Sequence, residues 1–275
     1  METSQLTGIH LAWRGTDNHL NIMSSIDGKN FGQKAVLSDT SHAGLALAVF
    51  NNRLYLAWTG TDDHLNVMSS DDGINFEQKV VLPETSHSGL ALATFNNHLH
   101  LVWRGTDNHL NIISSINGEN FGEKVVLPDT SSTELALAVF NNRLYLAWTG
   151  TDDHLNVISS HYWRNFEQKV VLPETSHTEL ALAAFNNQLH LTWTATDNHL
   201  NILSSNDGEN FGQKAVLSET SHSGLALAAF NNQLHLAWTG TDDHLNIMSS
   251  DDGKNFEQKV VLSDTSKSEL ALAGV

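Results

Sequence analysis

The feature that most constrains the fold of this sequence is a repeat of 45 residues. The phrase LYLAWTGTDDHLNV begins at Leu54 and nearly the whole unit returns from Leu144. Six copies of 45 residues account for 270 of the 275 residues, which leaves no room for a linker or a second domain. We therefore expect a single domain over residues 1–275 with six similar units. Tryptophan marks the interval, at Trp13, Trp58, Trp103, Trp148, Trp193 and Trp238.

A period of 90 residues lies within the first one. The turn sequence TDNH alternates with TDDH from unit to unit. A phenylalanine further along is followed alternately by glycine and by glutamate, as at Phe31-Gly32 and Phe76-Glu77. The chain therefore consists of three copies of a two-unit block, which indicates recent amplification or a designed repeat.

Each unit is predicted to contain four short β-strands. In the second unit, the segments LALAVF, RLYLAWTG, LNVMSS and FEQKVVL are separated by the turns Asn-Asn, TDDH and DDGIN. Short strands with β-branched and aromatic residues, bounded by Gly, Asn and Asp, are typical of all-β folds. The first two strands are apolar on both faces, which indicates sheets packed between neighbouring sheets. The polar fourth strand is expected at the outer edge, facing water.

The two ends of the chain predict how the units are arranged. The sequence enters at the second strand of a unit and finishes on an apolar first strand, LALAGV, at residues 270–275. An open stack needs polar caps on its terminal units, whereas a closed ring supplies this strand with partners. We therefore predict an all-β, six-bladed β-propeller with four antiparallel strands per blade. Residues 270–275 and 6–40 together form its closing blade.

Net charge excludes several classes of partner. The chain has 14 basic and 31 acidic residues, a formal charge of −17 at pH 7. Nucleic-acid binders carry basic patches, so we expect no nucleic-acid partner, and an anionic membrane surface is disfavoured for the same reason. If all 16 histidines gained a proton near a pKa of about 6.5, most of this charge would be cancelled. Solubility is therefore predicted to fall between about pH 6.5 and 5.

Composition also bounds the cellular context. The chain has no cysteine, so a disulfide framework and a thiolate metal site are both excluded. The start, METSQLTGIHLAW, lacks the basic region and long apolar run of a signal peptide. No segment reaches the roughly 18 apolar residues of a membrane helix. We expect a soluble monomer with internal pseudo-symmetry and no membrane insertion.

The turn between the third and fourth strands resembles a known motif. Residues 69–76, SSDDGINF, and 249–256, SSDDGKNF, fit S-x-D-x-G-x-x-[WF] and resemble the Asp-box of sialidase-like propellers. In that family the box is a structural turn on the face away from the active site, and its acidic residue accepts backbone N–H groups of the turn. The resemblance therefore implies the fold rather than an activity, with Asp71 and its equivalents as the turn acceptors. The fourth unit departs furthest, with Tyr162 and Trp163 in the turn. The motif's Asp is replaced in four units, by Ile26, Ile116, His161 and Asn206.

Sialidase chemistry is not expected from these residues. The family's activity needs an arginine cluster for the substrate carboxylate and a Tyr/Glu pair as nucleophile and base. Here Arg14 and Arg104 stand two units apart, while Arg53 and Arg143 follow the Asn-Asn turns at the opposite ends of the strands. Near-sixfold repetition also argues against one asymmetric catalytic group. We predict no enzyme activity, no catalytic residues and no cofactor.

The phrase LAVF-NN-RLYLAW-G-TD resembles a second group more closely. Repeat propellers of bacterial and fungal lectins, including six-bladed fucose-binding ones, have a similar rhythm of about 45 residues per blade. That resemblance is one of architecture and repeat rhythm, without a matched sugar-binding motif. It implies a multivalent carbohydrate-binding lectin with equivalent sugar sites in the grooves between adjacent blades.

The candidate ligand-binding residues come from the TD[ND]H turns and the strands before them. An Asp acceptor, an imidazole and a Trp face could recognise a sugar by hydrogen bonding and stacking. The alternative is structural, because Asp in such a turn caps its own backbone and the Trp side chains fall in phase with core leucines. The candidates are Trp13, Asp17, His19, Trp58, Asp62, His64, Trp103, Asp107, His109, Trp148, Asp152, His154, Trp193, Asp197, His199, Trp238, Asp242 and His244.

A second loop, PETSHSG and its equivalents, is expected beside these turns. It contributes His42, His87, His177 and His222, with Ser132 and Lys267 in the other two units. The residue before each first strand is Gly44, Gly89 or Gly224 in three units and Glu134, Glu179 or Glu269 in the others. The six grooves are therefore not expected to be chemically identical.

Other functions stay open at this point. D-x-H in a turn is not a zinc-ligand spacing, so no metal is predicted, although a weak calcium site among the TDDH carboxylates is conceivable. The partners are expected to be glycans, bound multivalently, or a protein. The alternatives to a lectin are a protein-interaction scaffold or sensor propeller, and a consensus or designed repeat without a natural ligand.

Overall fold

The structure, a computed structural model, describes residues 6–176, 178–266 and 268–275. Two loop residues singled out above, His177 and Lys267, lie outside this part of the chain. The described residues form 24 β-strands in six four-stranded antiparallel sheets, and none of them is helical, so no helix able to cross a membrane is found among them. In chain order the strands are β1 (Ile9–Arg14), β2 (His19–Ser25), β3 (Ala35–Thr40), β4 (Ala43–Phe50), β5 (Arg53–Thr59), β6 (His64–Ser70), β7 (Glu77–Thr85), β8 (Ser88–Phe95), β9 (His98–Arg104), β10 (His109–Ser115), β11 (Val125–Thr130), β12 (Leu135–Phe140), β13 (Arg143–Thr149), β14 (His154–Ser160), β15 (Glu167–Thr175), β16 (Leu180–Phe185), β17 (Gln188–Thr194), β18 (His199–Ser205), β19 (Ala215–Thr220), β20 (Ser223–Phe230), β21 (Gln233–Thr239), β22 (His244–Ser250), β23 (Glu257–Thr265) and β24 (Leu270–Gly274).

The sheets are the blades of a six-bladed propeller, as the sequence predicted. Blade 1 contains β24, β1, β2 and β3, and blades 2 to 6 contain β4–β7, β8–β11, β12–β15, β16–β19 and β20–β23. The innermost strands of neighbouring blades contact each other all the way round, including β20 with β24 and β24 with β4. The C-terminal strand closes the ring by pairing antiparallel with β1, with Leu272 opposite Leu11 and Gly274 opposite Ile9.

Local backbone chemistry explains the tight hairpins between the first and second strands. Asn51 and Asn52 have φ of 48° and 60°, and the other four Asn-Asn pairs have similar values. A two-residue turn with positive φ at both positions matches the twist of the flanking strands, and Asn tolerates that conformation better than most residues. This turn therefore sets the register in which Phe50 faces Arg53 and Leu47 faces Leu56.

The hydrophobic core consists of six clusters, each lying between two neighbouring blades. Trp58 of blade 2, for example, packs with Leu20 and Ile22 of blade 1 and with Leu45 and Leu54 of its own blade. Both faces of the inner sheets are buried, which is why the first two strands are apolar throughout. The outer strands alternate exposed and partly buried residues.

The loops and turns define two faces. The upper face carries the TD[ND]H turns and the TSH loops, which meet because Ser41 N–H donates to the Asn18 carbonyl at 2.9 Å. The lower face carries the Asn-Asn turns and the SSDDG turns at the opposite ends of the strands.

The lower-face turn is held by a different aspartate from the one the motif indicated. In blade 2, Asp72 accepts the N–H groups of Ile74 at 2.9 Å and Asn75 at 2.7 Å, whereas Asp71 forms an ion pair with Arg53. The motif placed this role one residue too early, because only the second carboxylate points at the turn amides. Five blades therefore retain the turn acceptor, as Asp27, Asp72, Asn117, Asp207 and Asp252.

The glycine of the same turn fits against a ring of the preceding blade. Gly73 has φ of +77°, and a Cβ there would lie 2.2 Å from Cε1 of His10. Gly118 meets Tyr55 in the same way, at 2.3 Å. The ring position is His10, Tyr55, His100, Tyr145, His190 and His235 around the propeller, and in blade 4 Trp163 replaces the glycine, with its ring centroid 5.4 Å from that of His100.

Candidate functional site

The aspartates of the TD[ND]H turns cap their own turns. His19 N–H donates to Asp17 Oδ1 at 3.1 Å, and the other five blades repeat this bond at 3.1–3.3 Å. The residue between them has positive φ, 66° at Asn18 and 64° at Asp63. The alternation of Asn and Asp is therefore a choice between two residues that tolerate the left-handed conformation.

The turn side chains also remain accessible on the upper face. Asp107 is 65 % exposed and His109 is 40 % exposed, with Nδ1 of the imidazole 3.4 Å from Oδ2 of the carboxylate. Four further blades have the same pair at 3.4–3.6 Å. In blade 1, His19 Nδ1 instead lies 3.1 Å from the Leu37 carbonyl. Asp and His are thus brought together at the surface, where both can hydrogen-bond a ligand.

The six tryptophans do not join them as open stacking surfaces. Each is at most 1 % exposed and belongs to an inter-blade core cluster. This corrects the expectation that Trp13, Trp58, Trp103, Trp148, Trp193 and Trp238 present a free face to a sugar. The physical reason is that each ring is packed from one side by leucines of two blades and covered from the other by outer-strand residues.

In four blades a lysine lies over the tryptophan. Nζ of Lys79 is 5.2 Å from the ring centroid of Trp58 and 2.5 Å from Oδ1 of Asp39 on the preceding blade. The same three-residue arrangement recurs around Trp13, Trp148 and Trp238. A cation–π contact and an ion pair therefore bridge these four grooves. These residues were not among the predicted ones, although a lysine follows every Trp by 21 residues and an acid precedes every Trp but Trp13 by 19 residues. For Trp13 the equivalent acid is Asp264 of the last unit.

The groove beside Trp103 differs. Among the described residues, Lys124 forms no ion pair with Glu84, the acid at the equivalent position, and the same is true of Lys214 with Glu174 beside Trp193. A groove of about 230 Å³ lies between blades 2 and 3 at this place. It is lined by Pro83, Glu84, Thr85, Trp103, Gly105, Thr106, Asp107, Asn111, Lys124 and Val126. It thus combines a carboxylate, an amide, a hydroxyl and an ammonium group beside an indole, and it includes two of the predicted residues.

The TSH loops approach the turns from the neighbouring unit. His42 Nδ1 lies 3.1 Å from Oδ1 of Asp63, and His222 Nδ1 lies 3.5 Å from Oδ1 of Asp243. His87 Nδ1 lies 3.9 Å from the same carboxylate of Asp63. The second aspartate of the TDDH turn therefore has a histidine partner in blades 2 and 6, which the sequence pattern alone did not show.

A group of carboxylates lies at the upper mouth of the central channel. Glu134 accepts backbone N–H bonds from Gly89 and Leu90, and desolvation followed by the charge of Glu269 raises the pKa of Glu134 to about 7. Desolvation also raises the pKa of Glu179 above its ordinary value. The channel below has a volume of only about 100 Å³ and is otherwise lined by Leu and Ala of the inner strands. This volume is less than half that of the groove beside Trp103.

The arginines do not converge on one place. Arg14 Nη1 donates to the His42 carbonyl at 2.8 Å, and Arg104 Nη1 donates to the Ser132 carbonyl at 2.7 Å. Arg53 pairs with Asp71 at 2.7 Å on the lower face. In the part of the chain that the structure describes, no group of three or more His, Asp or Glu side chains has an arrangement suited to a metal ion.

The four histidines at the ring position, His10, His100, His190 and His235, are buried under the lower-face turns. Burial lowers the pKa of His10 to about 4, with the charge of Asp72 opposing the shift. Burial likewise lowers the pKa of His100 to about 4 and lowers those of His190 and His235. The assumption that all histidines protonate near pH 6.5 is therefore wrong for these four, and less of the negative charge is cancelled in mild acid than the sequence suggested.

Comparisons with known proteins are consistent with the propeller fold. No protein-family model and no curated protein sequence matches the chain. The lectin BP39L from Burkholderia pseudomallei is similar in structure with a TM-score of 0.70 and 12% identity, covering 96% of this chain and 83% of that one. The fucose-specific lectin from Aleuria aurantia has a TM-score of 0.63 and 10% identity, covering 95% and 97%. An α-L-arabinofuranosidase from Clostridium thermocellum has a TM-score of 0.58 and 12% identity, covering 81% and 95%. At these identities the likeness establishes the fold alone.

Proposed function

We propose that this protein is a carbohydrate-binding propeller that holds sugars in inter-blade grooves on its upper face. The observation that carries the proposal is the groove beside Trp103, where Asp107, Asn111 and Lys124 surround a space of about 230 Å³. Sugars are recognised by a few well-placed polar groups next to an apolar surface. This groove supplies the polar groups, and its apolar surface comes from Pro83 and the 52 % exposed Val126, since Trp103 itself is buried. The propeller lectins to which the fold is similar make the same class of ligand plausible.

The proposal includes a difference between grooves. Beside Trp58, the Lys79–Asp39 pair spans the groove, so a sugar has to displace a surface ion pair there. Exposed ion pairs contribute only about 0–1 kcal/mol to stability. A sugar can therefore displace this pair, but its binding is weakened by up to that amount. Beside Trp103 and Trp193 the described residues include no such pair that a sugar would have to break. These two grooves are therefore proposed as the tighter sites, with the turn Asp and His of each blade contributing hydrogen bonds.

Multivalency follows from the repetition of the blades. A shallow groove buries little of a monosaccharide, so each site is expected to be weak. Several equivalent sites on one ring raise avidity on a glycan-coated surface by about 10²–10⁴. We propose that the protein acts through such avidity and not as an enzyme, since Arg14, Arg53 and Arg104 do not converge and six similar blades offer no single asymmetric catalytic group.

A glycan array followed by calorimetry tests this proposal. The array identifies a binding sugar, and calorimetry with that monosaccharide is expected to give more than one site per chain. Lys124→Gln is expected to remove the sugar site beside Trp103 while leaving the fold intact. Lys79→Gln is the matched control, because it opens a bridged groove and is expected to preserve or increase binding.

Two results would contradict parts of the proposal. If no glycan on a broad array binds, the carbohydrate-binding function is wrong and a protein-interaction scaffold takes its place. If a sugar binds but Lys124→Gln leaves stoichiometry and affinity unchanged, the groove beside Trp103 is not a site.

A further inference from the structure

Blade 4 departs from the other five blades at its lower-face turn. Tyr162 replaces the aspartate or asparagine that holds this turn elsewhere, and Trp163 replaces the glycine. The turn is held instead by Ser160, whose hydroxyl donates to the Asn165 carbonyl at 2.6 Å and accepts the Tyr162 N–H at 3.1 Å. The turn is therefore formed without any carboxylate, and it carries aromatic and cationic side chains.

The loss of a carboxylate affects the first residue of the second strand. In blade 2, Arg53 Nε lies 2.7 Å from Oδ1 of Asp71. Blades 5 and 6 repeat this cross-strand contact with neutral donors, Gln188 to Asn206 at 2.8 Å and Gln233 to Asp251 at 2.7 Å. Each of these donors has an oxygen acceptor opposite to it.

Blade 4 keeps the donor and lacks the acceptor. The equivalent pair is Arg143 and His161, two residues with basic side chains. Both Nε and Nη2 of Arg143 are buried, and neither has a hydrogen-bond partner in the described part of the chain. Nε of Arg53 also makes no hydrogen bond of good geometry, but it faces Asp71 and Nη1 donates to Gln78, so the difference between the blades is the missing acceptors. Gln168 corresponds to Gln78, which bonds Arg53 in blade 2, but it does not bond Arg143. A buried donor without a partner is costly, and a charged one more so, which indicates that an atom group outside the chain completes it.

The surroundings favour an anion that carries a ring. The guanidinium of Arg164 stacks on Trp163, with Cζ 4.6 Å from the ring centroid. The ring of Tyr162 is 75 % exposed beside it. His161 is also exposed, so its side chain can turn away from the position that Asp71 occupies in blade 2. Glu167, at the adjoining end of β15, is exposed, and Asp207 and Glu209 of blade 5 act electrostatically on the nearby Tyr145.

We propose that the lower face of blade 4 binds a carboxylate group, which takes the place of the Asp71 side chain against Arg143. Two-point recognition of a carboxylate is the interaction for which a guanidinium is best suited. The exposed Tyr162 ring has its centroid 6.4 Å from that of His161, the residue at the Asp71 position, and this favours a carboxylate carried by a sugar ring, that is, a uronic acid. The site lies at the opposite end of the strands from the grooves, so it does not depend on the function proposed above.

Tryptophan fluorescence tests this site selectively. The six core tryptophans are at most 1 % exposed, so Trp163 dominates any change caused by a ligand in solution. Sodium glucuronate is titrated at constant ionic strength and pH, with glucose, sodium acetate and a glutamate-containing tripeptide as separate probes. Glucuronate is expected to give a saturable change, and glucose none.

Two variants connect the signal to Arg143. Arg143→Gln is expected to fold, because Gln stands at this position in blades 5 and 6, and to weaken glucuronate binding about 10- to 100-fold. His161→Asp restores the internal carboxylate found in blade 2 and is expected to weaken glucuronate binding to a similar extent. Arg53→Gln in blade 2 is the matched control and is expected to leave the titration unchanged.

The outcomes separate the possibilities. Loss of the signal in both blade-4 variants supports the carboxylate site. If the tripeptide binds more tightly than glucuronate, the sugar is the wrong carrier and the site recognises an acidic peptide. If glucuronate gives no saturable change, or if Arg143→Gln binds as the parent does, the proposal is overturned and water alone satisfies Arg143.

Discussion

Replacing His10 by tyrosine is predicted to make the protein more resistant to acid. His10 is 1 % exposed, and burial lowers its pKa from 6.5 to about 4. Its folded pKa lies below its unfolded pKa, so the unfolded chain takes up a proton first as the pH falls. The contribution of His10 to the free energy of unfolding is therefore fully present above pH 6.5 and is lost progressively as the pH falls toward 4.

The size of the effect follows from the same two values. At pH 5 nearly every unfolded molecule has this histidine protonated, while few folded molecules do. With a pKa of 6.5 in the unfolded chain and about 4 in the folded protein, about 2 kcal/mol of stability is lost at pH 5 relative to pH 7.5. Tyr fits this position, because Tyr55 and Tyr145 occupy it in blades 2 and 4 against Gly118 and Gly208.

The measurement is a difference between parent and variant, because other groups titrate in the same range. The pKa of Glu134 is raised to about 7, so that carboxyl favours the folded state as the pH falls and opposes the histidines. Urea unfolding of the parent and of His10→Tyr at pH 7.5 and pH 5 removes this common contribution. The variant is expected to gain about 2 kcal/mol relative to the parent between the two pH values.

A reciprocal variant provides the control. Tyr55→His is expected to introduce acid sensitivity of comparable size, because it places an imidazole in the equivalent buried position. Equal loss of stability by the parent and by His10→Tyr between pH 7.5 and pH 5 would refute the reasoning about the buried ring.

Three further predictions concern the fold. Gly73→Ala is expected to cost about 1–3 kcal/mol in urea unfolding, because it forces a side chain onto His10 at positive φ. Asp72→Ala is expected to cost about 1–3 kcal/mol and Asp71→Ala less than about 1 kcal/mol, and the reverse order would restore the motif's original assignment. Deleting Leu270–Val275 removes buried leucines worth roughly 1.5–3 kcal/mol each and is expected to abolish cooperative unfolding or to cause oligomerisation. A truncated protein that stays monomeric with unchanged melting would contradict the ring closure.

The fold was accessible from the sequence because its constraints are local and repeated. The 45-residue period, the Asn-Asn turns and the apolar first strands each predict one blade, and the position of the chain ends within the repeat predicts closure. The structure confirms this, with β24 beside β1. Periodicity carries this information because every blade obeys the same packing rule.

The site was less accessible because it depends on contacts between blades. Trp58 reads as either core or platform until the preceding blade is seen to pack against it, and the contact of Lys79 with Trp58 and with Asp39 of the preceding blade is equally hidden in the sequence. Those residues recur in every unit, but their meeting requires the angle between neighbouring sheets. The choice between Asp71 and Asp72 is of the same kind, since only the backbone geometry of the turn shows which carboxylate faces its amides.

The most direct test of the carbohydrate-binding function is a crystal structure of the protein soaked with the monosaccharide that binds best on a glycan array. We expect the sugar on the upper face, beside Trp103 and in contact with Asp107 or Lys124, with a second copy beside Trp193. A sugar found only on the lower face, or density absent from every groove at a concentration that saturates the protein in solution, would contradict the account.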